Sequence, residues 1–74
     1  MNLPPMTDVN SRNLKSIGHD GRALFVAFRS GVVYSYDGVP PDVYGEGVVA
    51  PSPNLWFKEN VKGKFPYQKV QQDA

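Results

Sequence analysis

The sequence predicts an α+β domain: a small three-stranded antiparallel β-meander packed by one or two short helices. Three observations carry that reading. Residues 23–29 and 32–37 alternate between two side-chain faces, which is the period of a half-buried strand. Asp20-Gly21 and Ser30-Gly31 are turn signals too short to join anything but antiparallel neighbours. Ser52-Pro53, then Leu55, Trp56, Phe57 and Val61, then Gly63, outline a helix with a cap, a face and a stop.

The elements follow in order. Residues 1–8 lack periodicity, and Pro4-Pro5 holds them extended. They read as a flexible N-terminal arm that is either an idle tail or a docking segment carrying Leu3 and Met6. The domain proper occupies residues 9–70, and residues 71–74 form a tail expected to fray. Leu14 to His19 is a short, mixed first strand. In the second strand Leu24, Val26 and Phe28 share one face and Ala23, Phe25, Ala27 and Arg29 the other. In the third, Val32, Tyr34 and Tyr36 oppose Val33, Ser35 and Asp37. Pro40-Pro41-Asp42 suits a first helical turn, with Val39, Val43 and Tyr44 as a small apolar face. Gly45 and Gly47 each weaken a helix there by about 1 kcal/mol relative to Ala, so one or two turns are expected. After the last helix, Phe65-Pro66-Tyr67 breaks the helical pattern and packs back, with Val70 as a final anchor. The helices must cover one sheet face, because a bare meander exposes too much apolar surface to persist.

Composition bounds the function. The 74 residues carry 41% hydrophobic side chains, a net charge of +1 and no cysteine. One domain with a modest core fits that length, and wholesale disorder does not fit that composition. Disulfide frameworks and cysteine-based zinc sites are excluded. No apolar run is long enough for a membrane span, and Met-Asn-Leu-Pro-Pro-Met has neither the basic nor the apolar region of a signal peptide. The expectation is a monomeric cytoplasmic protein without cofactor or metal.

Catalytic chemistry has little material. The single histidine, His19, sits beside Asp20 in a turn, where a solvated loop explains the pair. Gly45-Glu46-Gly47-Val48-Val49-Ala50 matches a loose dinucleotide pattern, but Pro51 follows at once and no parallel βαβ unit has room to form. The protein is therefore expected not to be an enzyme. Charge says more. Lys58, Lys62, Lys64 and Lys69 face only Glu59 across the C-terminal segment, interleaved with Trp56, Phe57, Phe65 and Tyr67. That is either a solvated helix face or a modest basic patch able to meet RNA. Tyr34 and Tyr36 project from one strand face, as a stacking platform if exposed and as core if buried; partial burial under the helices is expected. Arg12, Lys15, Arg22 and Arg29 lie on the meander and its approach. Gathered on one edge, they suit an acidic protein surface or a phosphate.

The ordered motif set resembles the KTSC family from Val9 to Val70. It comprises Ser11; Leu14-Lys15-Ser16-Ile17-Gly18; Leu24, Val26 and Phe28 before Ser30-Gly31; Tyr34-Ser35-Tyr36; Gly38-Val39-Pro40; Val43-Tyr44; Ala50 with Ser52; Trp56-Phe57; and Val61-Lys62-Gly63-Lys64-Phe65-Pro66-Tyr67. The chain departs from the family's usual pattern at Gly45, Gly47, Asn54 and Lys58, and Pro51 and Pro53 flank Ser52 unusually. Segment 41–50 therefore stands open between helix and loop. The resemblance implies the same small α+β architecture. The family's occurrence at the C-terminus of some lysyl-tRNA synthetases implies binding of tRNA or another RNA, for which Tyr34, Tyr36, Lys58, Lys62, Lys64 and Lys69 are the candidates here. Its free-standing phage members imply a transcription regulator that docks on host bacterial RNA polymerase. Such a regulator inhibits initiation by displacing the σ factor and acts as an antiterminator. Leu3, Met6, Val9, Arg12, Arg22 and Arg29 are the candidate protein contacts for that role.

Overall fold

The alternating stretches form the centre of one antiparallel sheet. The computed structural model of the chain describes residues 4–70. In it β2 (Leu14–His19), β3 (Ala23–Phe28) and β4 (Val33–Asp37) are joined by tight turns in which Gly21 and Gly31 take φ of 99° and 100°, values closed to most L side chains. The sheet has five strands in the order β1-β2-β3-β4-β5, not three. The two additions are its edges: β1 (Met6–Asp8) beside β2, and β5 (Tyr67–Val70) beside β4. Between β4 and β5 the chain forms α1 (Pro41–Val48) and α2 (Pro53–Asn60), which pack on one face.

Residues expected within a loose arm are thus held in the sheet. Met6 pairs with Gly18, Thr7 with Ile17 and Asp8 with Ser16. The segment passes so close over Gly18 that a Cβ there would lie 2.6 Å from Met6 Sδ and 2.7 Å from the Pro5 carbonyl oxygen. Gly18 is the floor on which this strand sits. Leu3 and residues 71–74 lie outside the described residues.

Register separates the two faces. Ile17, Val26 and Tyr34 form one row toward the helices, and Leu24 and Tyr36 form another. These residues join Leu14, Val9, Val39, Trp56, Phe57 and Val61 in the main core. On the far side Phe25, Val33 and Val70 make a smaller cluster with Met6, Ala23 and Ala27. The mixed look of β2 has a cause. The pairing shifts between Leu14↔Phe28 and Ser16↔Ala27, a bulge that places Leu14 and Ser16 on opposite faces although they are two residues apart.

Both helices run for eight residues. Ser52 caps α2 as expected, its Oγ accepting the Leu55 N–H at 3.4 Å. The helix ends near Gly63, whose φ is 79°. α1 makes about two turns, as expected with Gly45 and Gly47, and settles Pro41–Val48 of the open segment 41–50 as helix. No helix among the described residues is long and apolar enough to cross a membrane.

Candidate functional site

At one end of the sheet the close of β3, the loop before β2 and the outer side of α2 enclose a cleft of about 430 Å³. Asn54, Lys58 and Lys62 recur at a spacing of four, which stacks them along one side of α2 and its last turn. Arg12 and Arg29 approach from the sheet side, and Phe28 and Phe57 form the apolar wall. Four of the chain's eight basic residues line this cleft, and among the described residues no acidic one does.

The framework is tied by hydrogen bonds. Ser11 Oγ accepts the backbone N–H groups of Asn13 and Leu14, each at 3.3 Å, which closes the loop before β2. Asn13 Nδ2 donates to Asn54 Oδ1 at 3.1 Å and joins that loop to α2. Arg29 donates its backbone N–H to the Asn13 carbonyl at 2.9 Å and its Nε–H to the Ser11 carbonyl at 2.6 Å. That second bond fixes the guanidinium plane and engages one of its five donors. All four cations stand exposed; Arg29 is oriented in advance, whereas Arg12, Lys58 and Lys62 give up rotamer freedom when they meet an anion.

The tyrosines lie beside this cleft in an aromatic row. Phe28 packs edge-on against Phe57 at 5.6 Å and against Tyr34 at 5.7 Å, and Tyr34 meets Tyr67 at 5.5 Å. Tyr36, expected with Tyr34 to be a stacking platform if exposed or core under the helices, is only 5% exposed: Phe57 and Tyr67 pack against its ring at 5.5 and 5.6 Å. Burial, then the neighbouring hydroxyls of Tyr34 and Tyr67, push its phenol above the ordinary value. Tyr36 is a core residue. Tyr34 is half-buried, and Tyr67 is 65% exposed.

The other expected contacts disperse. Val9 is 8% exposed and belongs to the core, since the β1–β2 connection turns its side chain inward. Met6 is half-buried on the far face beside Gly18. Arg22 and Arg29 flank opposite ends of β3, roughly 20 Å apart along the strand. Lys64 stands exposed in the turn after α2, outside the cleft lining, and Lys69 is the exposed cross-strand neighbour of Tyr34 on β5. The structure thus joins Arg12 and Arg29, expected on a protein-docking surface, to Lys58 and Lys62, expected on an RNA surface. Asn13 and Asn54 were not anticipated, and Tyr67 was expected only as one of the aromatics interleaved with the lysines. The spacing of Asn54, Lys58 and Lys62 was the one signal in the sequence that pointed to the cleft.

His19 and Asp20 perform local structural work. His19 Nε2–H donates to the Val39 carbonyl at 2.6 Å while its Nδ1 accepts the Gly21 N–H at 2.9 Å, so both ring nitrogens hold local backbone. Asp20 Oδ1 accepts from the N–H groups of Ala23 at 2.8 Å and Arg22 at 2.9 Å. Those two bonds hold its carboxyl below the usual range. Among the described residues no three His, Cys, Asp or Glu side chains gather into a metal site. A second groove, of about 670 Å³ on the far side of the sheet, is lined by Asp20 and Asp37 as well as Arg22 and Lys69 and favours neither sign of charge.

The KTSC domain model matches residues 10–65, most of the chain. The chain belongs to the KTSC family. A crystal structure of a KTSC domain protein from Yersinia pestis superposes with a TM-score of 0.85 at 33% identity, covering 90% of this chain and 97% of that one. No curated protein matches the chain. Every residue lining the basic cleft falls inside the KTSC match, whereas Tyr67 and Lys69 follow it.

Proposed function

We propose that this KTSC protein is a non-enzymatic RNA-binding module that grips phosphates in the cleft of Arg12, Arg29, Lys58 and Lys62. One observation carries the reading. Among the described residues those four cations converge without an acidic neighbour in the lining, in a chain whose overall charge is nearly balanced. Backbone phosphates release counterions when they meet such a group, and half-buried Phe28, backed by Phe57, offers apolar wall to the sugars and bases. If all four cations contact phosphates of a single strand, the logarithm of affinity falls with the logarithm of salt at a slope of about −3.

Fluorescence anisotropy with a labelled RNA over a salt series tests this. Replacing Lys58 and Lys62 by Gln, both exposed and so harmless to folding, should weaken binding at low salt and halve the slope. An unchanged slope, or no binding by the parent protein at low salt, refutes the proposal.

Docking on bacterial RNA polymerase rests on the resemblance to phage members of the family. Its candidate contacts do not form one surface: Val9 is buried, Arg22 and Arg29 lie at opposite ends of β3, and Leu3 lies outside the described residues.

A further inference from the structure

We infer that the RNA held by this cleft is unpaired, with bases stacked on Tyr67 and Tyr34 at the β5 edge. The inference rests on the cleft being the phosphate grip and adds the form of the ligand.

An exposed tyrosine alone means little, because isolated apolar side chains are common on protein surfaces. The position of Tyr67 is more informative. By register it shares the helix-side face with Tyr36 and Leu24, yet it stays 65% exposed. Its ring is braced by Tyr34 at 5.5 Å with an interplanar angle of 87°, and by Tyr36 at 5.6 Å and 33°. A braced, open ring binds a base without first paying to immobilise itself. The row Phe57, Phe28, Tyr34, Tyr67 begins in the wall of the basic cleft and ends at this ring. Lys69, cross-strand from Tyr34, adds an exposed cation to the same edge strand, where it and Tyr67 also border the far-side groove that holds Asp20 and Asp37. Cations at one end of an aromatic track suit a strand whose phosphates and bases are both accessible. In a duplex the base faces are stacked away, and the track has nothing to bind. Because Tyr67 and Lys69 lie after residues 10–65, this part of the surface belongs to the C-terminal strand and not to the matched KTSC core.

The test compares an oligouridylate with an RNA duplex of equal length, by anisotropy at one low salt concentration. The parent protein should bind the single strand more tightly. Loss of one stacked base costs roughly 1–3 kcal/mol, so Tyr67→Ala should weaken single-strand binding between about five- and 150-fold and leave duplex binding unchanged. Tyr67→Phe, which keeps the ring, should retain affinity. Tyr67→Leu, which keeps apolar packing on Tyr34 and Tyr36 without a flat π face, should behave like the alanine variant and separates stacking from folding. If Tyr67→Ala and Tyr67→Leu bind like the parent, or duplex and single strand bind equally, the stacking track is refuted while the cleft stands. If the parent binds neither RNA, both fail together.

Discussion

The two helices have equal length and opposite means of support. α2 begins at Ser52, whose side chain caps it, and Pro53, and buries Trp56 and Phe57 in the core. α1 begins at Pro40 without a side-chain cap, carries Gly45 and Gly47, and has Gly47 as its one buried residue. Local signals explain α2. For α1 they explain only the start, at Pro41 and Asp42; past its glycines it persists because α2 and β2 pack against it. A Cβ on Gly47 would lie 2.5 Å from Trp56 Cζ2 and 2.6 Å from Cε2 and Cη2, whereas one on Gly45 would meet nothing within 4 Å. One helix donates a large ring and the other a gap of matching shape, so the same residue type is structural at position 47 and dispensable at position 45.

Three substitutions break or sharpen that contrast. Trp56→Ala removes the ring that both helices share. It should cost about 3–5 kcal/mol, enough to unfold so small a domain, as read by chemical denaturation followed by circular dichroism. An unchanged midpoint would mean that Trp56 contributes no packing to either helix. Gly47→Ala drives a methyl group into that ring. Overpacking costs about 1–3 kcal/mol and a rigid indole cannot step aside, so the loss should exceed the helix-propensity gain of about 1 kcal/mol. In a Trp56→Leu background the same substitution should turn neutral or favourable, because the two sites are coupled through direct contact. Gly45→Ala faces open space and should raise the thermal midpoint, by the equivalent of up to about 1 kcal/mol. If Gly45 and Gly47 respond alike, the packing account of α1 fails.

The same division between local and distant causes separates what was legible from what was not. β3 and β4 were readable because runs of β-branched and aromatic residues lie between glycine turns, although both of their faces are partly buried, Leu24, Val26 and Tyr36 under the helices and Phe25 and Val33 on the far side. The β1 and β5 edges were not. Met6-Thr7-Asp8 and Tyr67-Gln68-Lys69-Val70 are short and mostly exposed, so burial imposes little pattern on them. β2 looked irregular because its bulge moves Ser16 away from the face of Leu14. The role of His19 depends on the Val39 carbonyl, which only the fold brings to it. In the site, Lys58 and Lys62 were visible as part of a basic C-terminal segment, but nothing in the chain near Lys58 announces Arg12. Tyr34 and Tyr36 looked equivalent at their two-residue spacing; Tyr67 packs on both, and Phe57 docks on Tyr36, the more buried of the two.

By itself the sequence determined a small antiparallel α+β body, its two central hairpin turns, the start and stop of α2, and membership of a family whose ordered motifs it carries. These depend on residues that are neighbours in the chain, where backbone stereochemistry and burial period act directly. The tertiary structure decided the five-strand order, the survival of α1 against its glycines, and the meeting of Arg12 and Arg29 with Lys58 and Lys62 in one basic cleft. Those depend on which surfaces lie together after α2 docks on the sheet, and contact between such distant segments leaves no period in the chain to read.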